Sequence, residues 1–155
     1  MKLPKTYVKK IREKDIDREQ SCVANIYTIT TLKHSLIPKI SIYDEYVYEM
    51  EYIHGDDLVQ YLLKCDQPTQ RDTTFKLISQ VSTLIHKMSK LKNPSYPDMM
   101  FIGKDMRNLG NYMMREDGRI VCIDFDSWRW WPTNEAIWHA RNALSFPIEQ
   151  LLISS

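Results

Sequence analysis

Two short stretches hold the side chains best suited to chemistry: Lys104-Asp105-Met106-Arg107-Asn108-Leu109-Gly110-Asn111 and Ile123-Asp124-Phe125-Asp126. The first places an acid and an amide in a loop. The second puts another acid at the end of a returning strand, because Asn111 to Met114 and Ile120 to Phe125 read as two strands joined by the turn Glu116-Asp117-Gly118-Arg119. Phosphoryl transfer needs groups of these kinds: one carboxylate to orient an acceptor hydroxyl and take its proton, and an amide oxygen plus a second carboxylate to hold magnesium against the phosphates. A hairpin brings its two flanks together, so Asn111 and Asp124 are expected to share one metal site. Asp and Asn in a loop are also ordinary turn formers. The full pattern, not either pair, carries the information.

Upstream, Tyr48-Glu49-Met50-Glu51-Tyr52-Ile53-His54-Gly55-Asp56-Asp57-Leu58 reads as a strand stopped by glycine. An extended backbone there offers a donor and an acceptor, and apolar neighbours can sandwich a ring.

The elements that must position these groups follow from periodicity. A short strand fits Lys5 to Ile11. From Glu19 to Leu36, the residues Val23, Ile26, Ile29 and Leu32 recur at helical spacing, Tyr27 widens the stripe, and Pro38 ends the helix. Strands over Lys39 to Tyr43 and Tyr46 to Ile53 follow, with Asp44-Glu45 as their turn; Tyr46, Tyr48, Met50 and Tyr52 share one face. Leu58 to Leu63 suggests a short helix, with Pro68 in the link beyond it. The clearest helix runs from Thr73 to Leu91, capped by Asp72 or Thr73, with Phe75, Ile78, Val81, Leu84, Ile85 and Met88 as its apolar stripe. Asn93 to Asp98 is a loop, and a final helix from Thr133 carries Ala136, Ile137, Ala140 and Leu144. The order is α+β: a small sheet-bearing half, then a helical half.

On these residues the chain resembles the protein-kinase-like superfamily. Asp105 to Asp126 is similar to the catalytic loop and metal-binding segment of protein kinases and of aminoglycoside or choline phosphotransferases, and Ile123-Asp124-Phe125-Asp126 looks like the metal motif of lipopolysaccharide-core sugar kinases. The resemblance implies Asp105 as catalytic base and Asn111 and Asp124 as metal ligands. Tyr48 to Leu58 resembles the strand and hinge that hold adenine between the lobes, which makes Met50 the gatekeeper and turns the backbone of Glu51 and Ile53 to the adenine edge. Val8-Lys9-Lys10 looks like the strand whose lysine contacts the phosphates, with Lys10 preferred, and Glu19 resembles the helix carboxylate that pairs with it.

Three departures accompany the likeness. Only nine residues precede Lys10 and none is glycine, so the glycine-rich phosphate loop is expected to be missing or supplied by a partner. Gly103 stands where the family has histidine, and the interval from Asp105 to Asn111 holds one extra residue. About thirty residues follow Asp124, which leaves the large lobe truncated.

The bulk composition sets the remaining expectations. The chain has 155 residues, 43% hydrophobic and 26% charged, with a formal net charge of +1. That is an ordinary globular composition, without the basic excess of a dedicated nucleic-acid binder. No apolar run has the length of a membrane span. Cys22, Cys65 and Cys122 are scattered and odd in number, which fits small hydrophobes in a reducing cytoplasm. His34, His54, His86 and His139 have no mutual metal spacing, and His86 is expected beside the stripe of the long helix. Trp128, Trp130 and Trp131 suit core plugs, a stacking platform or a partner surface.

The expected fold is thus α+β, a reduced two-lobed kinase-like domain over 1–155, with 1–53 as the N-lobe remnant and 54–155 as the C-lobe. The expected function is ATP- and Mg2+-dependent phosphate transfer to a hydroxyl, protein Ser/Thr favoured over a small molecule. The alternative is a degenerate kinase fold serving as a protein-binding module.

Overall fold

A computed structural model describes residues 6–10, 22–43 and 47–154. Glu19 and the Asp44-Glu45 turn, with Tyr46, lie outside them. The architecture is mixed α+β, built from small antiparallel sheets packed against helices.

The first sheet contains β1 (Thr6–Lys10), β2 (Ile40–Ile42) and β3 (Val47–Glu51), in the order β1-β3-β2. Alternation along β3 buries Tyr48 and Met50, and Met50 stands opposite both Tyr7 and Ile40. Tyr52 lies past the end of this ladder and is 42% exposed, so it does not share their face as expected.

β3 ends at Glu51, short of both Ile53 and Gly55, so Gly55 is not the stop expected of it. It opens β4 (Gly55–Asp57), which pairs with β6 (Tyr112–Arg115), and β6 pairs with β7 (Ile120–Cys122). Gly118, at φ 87°, makes the β6–β7 turn. A third, two-stranded sheet joins β5 (Met99–Gly103) to β8 (Trp128–Pro132). Neither strand was anticipated. The run Met99-Met100-Phe101-Ile102 has no alternation, because its last two residues and Gly103 are all buried.

The helices depart from expectation at their ends and in their phase. The first, α1 (Cys22–Thr31), buries Ile26 and Ile29, with Leu32 just beyond, but leaves Tyr27 64% exposed. It stops well before Pro38: Thr30 and Thr31 turn their hydroxyls back onto the carbonyls of Tyr27 and Thr28, and Lys33 takes the left-handed conformation, φ 45°. In α2 (Leu58–Lys64), Asp57 caps the start by accepting from Gln60 N at 2.9 Å.

The long helix α3 (Gln67–Ser89) begins ahead of Thr73, because Asp66 is its cap and Pro68 sits in the first turn, where no amide is needed. Its buried positions are Thr73, Thr74, Leu77, Val81, Leu84 and Met88; Phe75 and His86 are exposed. In α4 (Thr133–Ser154) the inward positions include Ala136, His139, Ala143 and Pro147, and Ile137 is exposed.

One core cluster runs through all of this, with Tyr48, Leu58, Leu77, Leu84, Phe101, Tyr112, Phe125 and Trp128 among its members. Trp130 is also buried and Trp131 is half-buried, so Trp128 and Trp130 are core plugs, not a platform or partner surface. Among the described residues, no helix is long and apolar enough to cross a membrane.

Candidate functional site

The β6–β7 hairpin is the frame of the site. Its ladder runs from Met114–Ile120 to Tyr112–Cys122, and one bond beyond it Ile123 N donates to Asn111 O at 2.9 Å. Asn111 and Asp124 are therefore brought together at the open end of the hairpin. Both line a cavity of about 350 Å³, together with Met50, Glu51, Tyr52, Ile53, Met113 and Ile123. Segments far apart in sequence meet there: the end of β3 with its exit chain, and the two flanks of the hairpin.

The polar groups are fixed locally. Asp105 and Asn111 lie in two successive 3-10 turns, Lys104–Arg107 and Leu109–Asn111. The Asn111 side-chain nitrogen donates to the Asp105 carbonyl at 3.0 Å, which leaves its amide oxygen as the free end of the group. Asp105 N donates to Ser127 Oγ at 3.0 Å, and the buried Tyr112 hydroxyl donates to Met106 O at 2.6 Å. Asp124 is half-buried and accepts from Asp126 N at 3.1 Å through one carboxylate oxygen. Burial pushes the Cys122 thiol up to about 12, helped by the charges of Asp124 and Asp105, so this cysteine is an inert core residue. Asp105 is not part of the cavity wall.

Hard oxygen donors of this sort, one carboxylate and one amide, suit magnesium, which commonly takes one or two protein carboxylates and completes its shell with phosphate oxygens and water. Among the described residues, no group of three His, Cys, Asp or Glu side chains is placed to hold a metal by itself.

At the apolar end, Glu51 N already donates to Lys39 O at 2.9 Å, so its amide is not available to a ligand. The Ile53 amide has no backbone partner among the described residues. The Glu51 carboxylate pairs with Arg115, which also approaches Asp117 at 3.4 Å, and Glu116 N donates to His54 O at 3.0 Å. The exit from β3 is thereby tied to the hairpin turn.

Of the other expected residues, Lys10 closes β1 opposite Val47, and Glu19 lies outside the described residues. Sequence reading missed Met113, Ser127 and Arg115, and placed Ile123 only within the metal motif. The first and third were accessible: Asn111, Met113 and Arg115 share the parity of one strand face, opposite the buried Tyr112 and Met114. Ser127 and Ile123 carry no such signal.

No protein-family model matches this chain, and no curated protein matches it.

Proposed function

We propose that this protein is a nucleotide-dependent phosphotransferase of the protein-kinase-like class, the reduced two-lobed fold expected from its sequence. The observation that carries the reading is the single cavity whose wall includes both Met50 to Ile53 and the oxygen donors Asn111 and Asp124. Its volume, about 350 Å³, falls within the range of small-ligand sites, roughly 300–1,000 Å³. Met50, Ile53, Met113 and Ile123 offer apolar surface to the faces of a base, and the Ile53 amide offers a donor to its edge.

Asn111 and Asp124 would hold Mg2+, which when bound neutralises phosphate charge. Asn111 does so with its nitrogen anchored on the Asp105 carbonyl, so its oxygen is presented in a fixed direction. Asp105 takes the proton of the acceptor hydroxyl. Its backbone is held on both sides, by Ser127 Oγ and by Asn111, as a general base requires for positioning. ATP is the proposed donor. The acceptor is a hydroxyl, with a protein serine or threonine preferred.

Calorimetry of ATP binding with and without Mg2+, followed by transfer of labelled phosphate to a peptide mixture, tests the reading. Magnesium-dependent binding with transfer is the expected result. Binding without transfer would mean the fold serves as a regulatory binding module, and no binding at any magnesium concentration would end the nucleotide reading.

A further inference from the structure

The connection between α1 and β2 is held by a histidine whose two ring nitrogens have separate, fixed jobs. Leu36 N donates to His34 Nδ1 at 3.1 Å, and His34 Nε2 lies 2.7 Å from Thr83 Oγ1 on α3. The Thr83 hydroxyl hydrogen is committed to Gln80 O at 2.9 Å. Thr83 therefore accepts, Nε2 carries the proton, and Nδ1 is a bare acceptor. Only the neutral ring with its hydrogen on Nε2 satisfies all three bonds.

The turn that this ring closes is coupled to the hairpin. Cys122 N donates to the Leu36 carbonyl at 2.8 Å, and Cys122 lies two residues before Asp124. The path from His34 to the hairpin is thus three steps: ring to Leu36 amide, across the Leu36 Cα, Leu36 carbonyl to Cys122 amide.

Among the described residues, four other turns use the same device, a side chain accepting from the amide two residues on: Asn93 to Ser95, Asn108 to Gly110, Asp117 to Arg119 and Asp124 to Asp126. Those acceptors are amide or carboxylate oxygens; of these five turns, the one at residue 34 uses an imidazole nitrogen, which protonation removes as an acceptor.

We propose that His34 is a proton-sensitive latch: protonation at Nδ1 breaks the ring-to-Leu36 bond, leaving the turn held by the backbone bond from Ile37 N to His34 O at 2.9 Å, and so loosens the Leu36–Cys122 bond that seats β7 and the start of the Asp124 segment. The incoming proton replaces the acceptor with an N–H facing the Leu36 N–H. The surrounding charges oppose the new cation as well. Lys87 of α3 donates to the carbonyls of Leu32 (3.3 Å) and Lys33 (3.1 Å), and Lys33 and Lys39 line the cavity of about 260 Å³ that His34 borders. No carboxylate is among the groups acting on the ring from the described residues; burial first, then Lys87, lower its proton affinity. The latch therefore stays shut near neutrality and opens only below the ordinary histidine range.

Amide exchange and ring titration by NMR on the full chain test this between about pH 7.5 and pH 5. The Cys122 protection factor is expected to drop about tenfold, the loss equivalent to one net hydrogen bond, in step with protonation of the His34 ring. His34→Asn keeps an i to i+2 acceptor that does not titrate, so protection in that variant should stay level, whereas His86→Asn, at an exposed site, should follow the parent. Steady Cys122 protection while His34 titrates, a ring that stays neutral throughout, or a His34→Asn chain that tracks the parent would each overturn the proposal. Exchange at Cys122 reads the latch whether or not Asp124 binds an ion, so a failure here is separate from a failure of the phosphotransferase reading.

Discussion

Single residues around the cavity divide into those that would touch a ligand and those that hold the former in place. Asp124→Asn removes a formal charge from the proposed ion shell, so magnesium-dependent ATP affinity should fall by tenfold or more, roughly 1.4 kcal/mol. Asp105→Asn should leave affinity nearly intact and lower turnover, because its proposed partner is the acceptor hydroxyl. Calorimetry paired with turnover separates the two, and equal loss of binding in both variants would assign them to turn structure instead. Tyr112 belongs to the supporting group. Its buried hydroxyl is bonded to the Met106 carbonyl, so Tyr112→Phe strands a buried acceptor in the turn next to Asp105. The expected cost is about 1–3 kcal/mol in urea denaturation, with apolar packing otherwise retained. A neutral result would show that water reaches the Met106 carbonyl.

Elements were legible where one strong local signal decided them and illegible where packing did. The β6–β7 hairpin could be read because the Glu116-Asp117-Gly118-Arg119 turn lies between two strand-like runs, and that hairpin places Asn111 beside Asp124. The β5–β8 pair could not, since Phe101, Ile102 and Gly103 are all buried and Trp128 reads equally well as a binding aromatic. Helix phase failed for a related reason: the threonines at 73 and 74 are buried, so a search for apolar residues alone rotated the α3 stripe toward Phe75. Gly55 shows the limit of a breaker signal. It reads as a stop, but its need comes from β6: at φ 155° a Cβ would lie 2.0 Å from the Met114 carbonyl oxygen. Gly55→Ala must therefore push β4 off β6, with an expected loss of about 2–4 kcal/mol, typical of combined overpacking and backbone strain. Thermal unfolding checks this, and a variant as stable as the parent would mean β4 contributes little.

At the scale of the whole molecule, the buried titratable groups set the pH range in which the fold is most stable. His34 and His139 are both held below the ordinary value of 6.5, mainly by burial. In the unfolded chain each takes up its proton near 6.5, while in the folded chain each resists, so the unfolded state binds more protons in mild acid. Their contribution is full above 6.5 and is lost as pH falls through the lower folded values. Cys122 and Tyr112 act from the other side. Burial raises both, so the folded chain retains protons that the unfolded chain gives up, and stability declines as pH rises past about 9.0, the ordinary thiol value. The exposed Asp66 and Asp117 are lowered from 3.8 by their bonds to Thr69 and Arg119, and they enter only in stronger acid. Stability should therefore plateau between about pH 7 and 8.5 and fall on both sides, the acid shoulder beginning with the two histidines. His34→Asn removes one of the two histidine contributions, so the midpoint difference between mild acid and neutrality should shrink without vanishing. Urea denaturation across this range measures it. A protein more stable in mild acid than at neutrality would mean that His34 and His139 gain protons on folding, which their surroundings oppose.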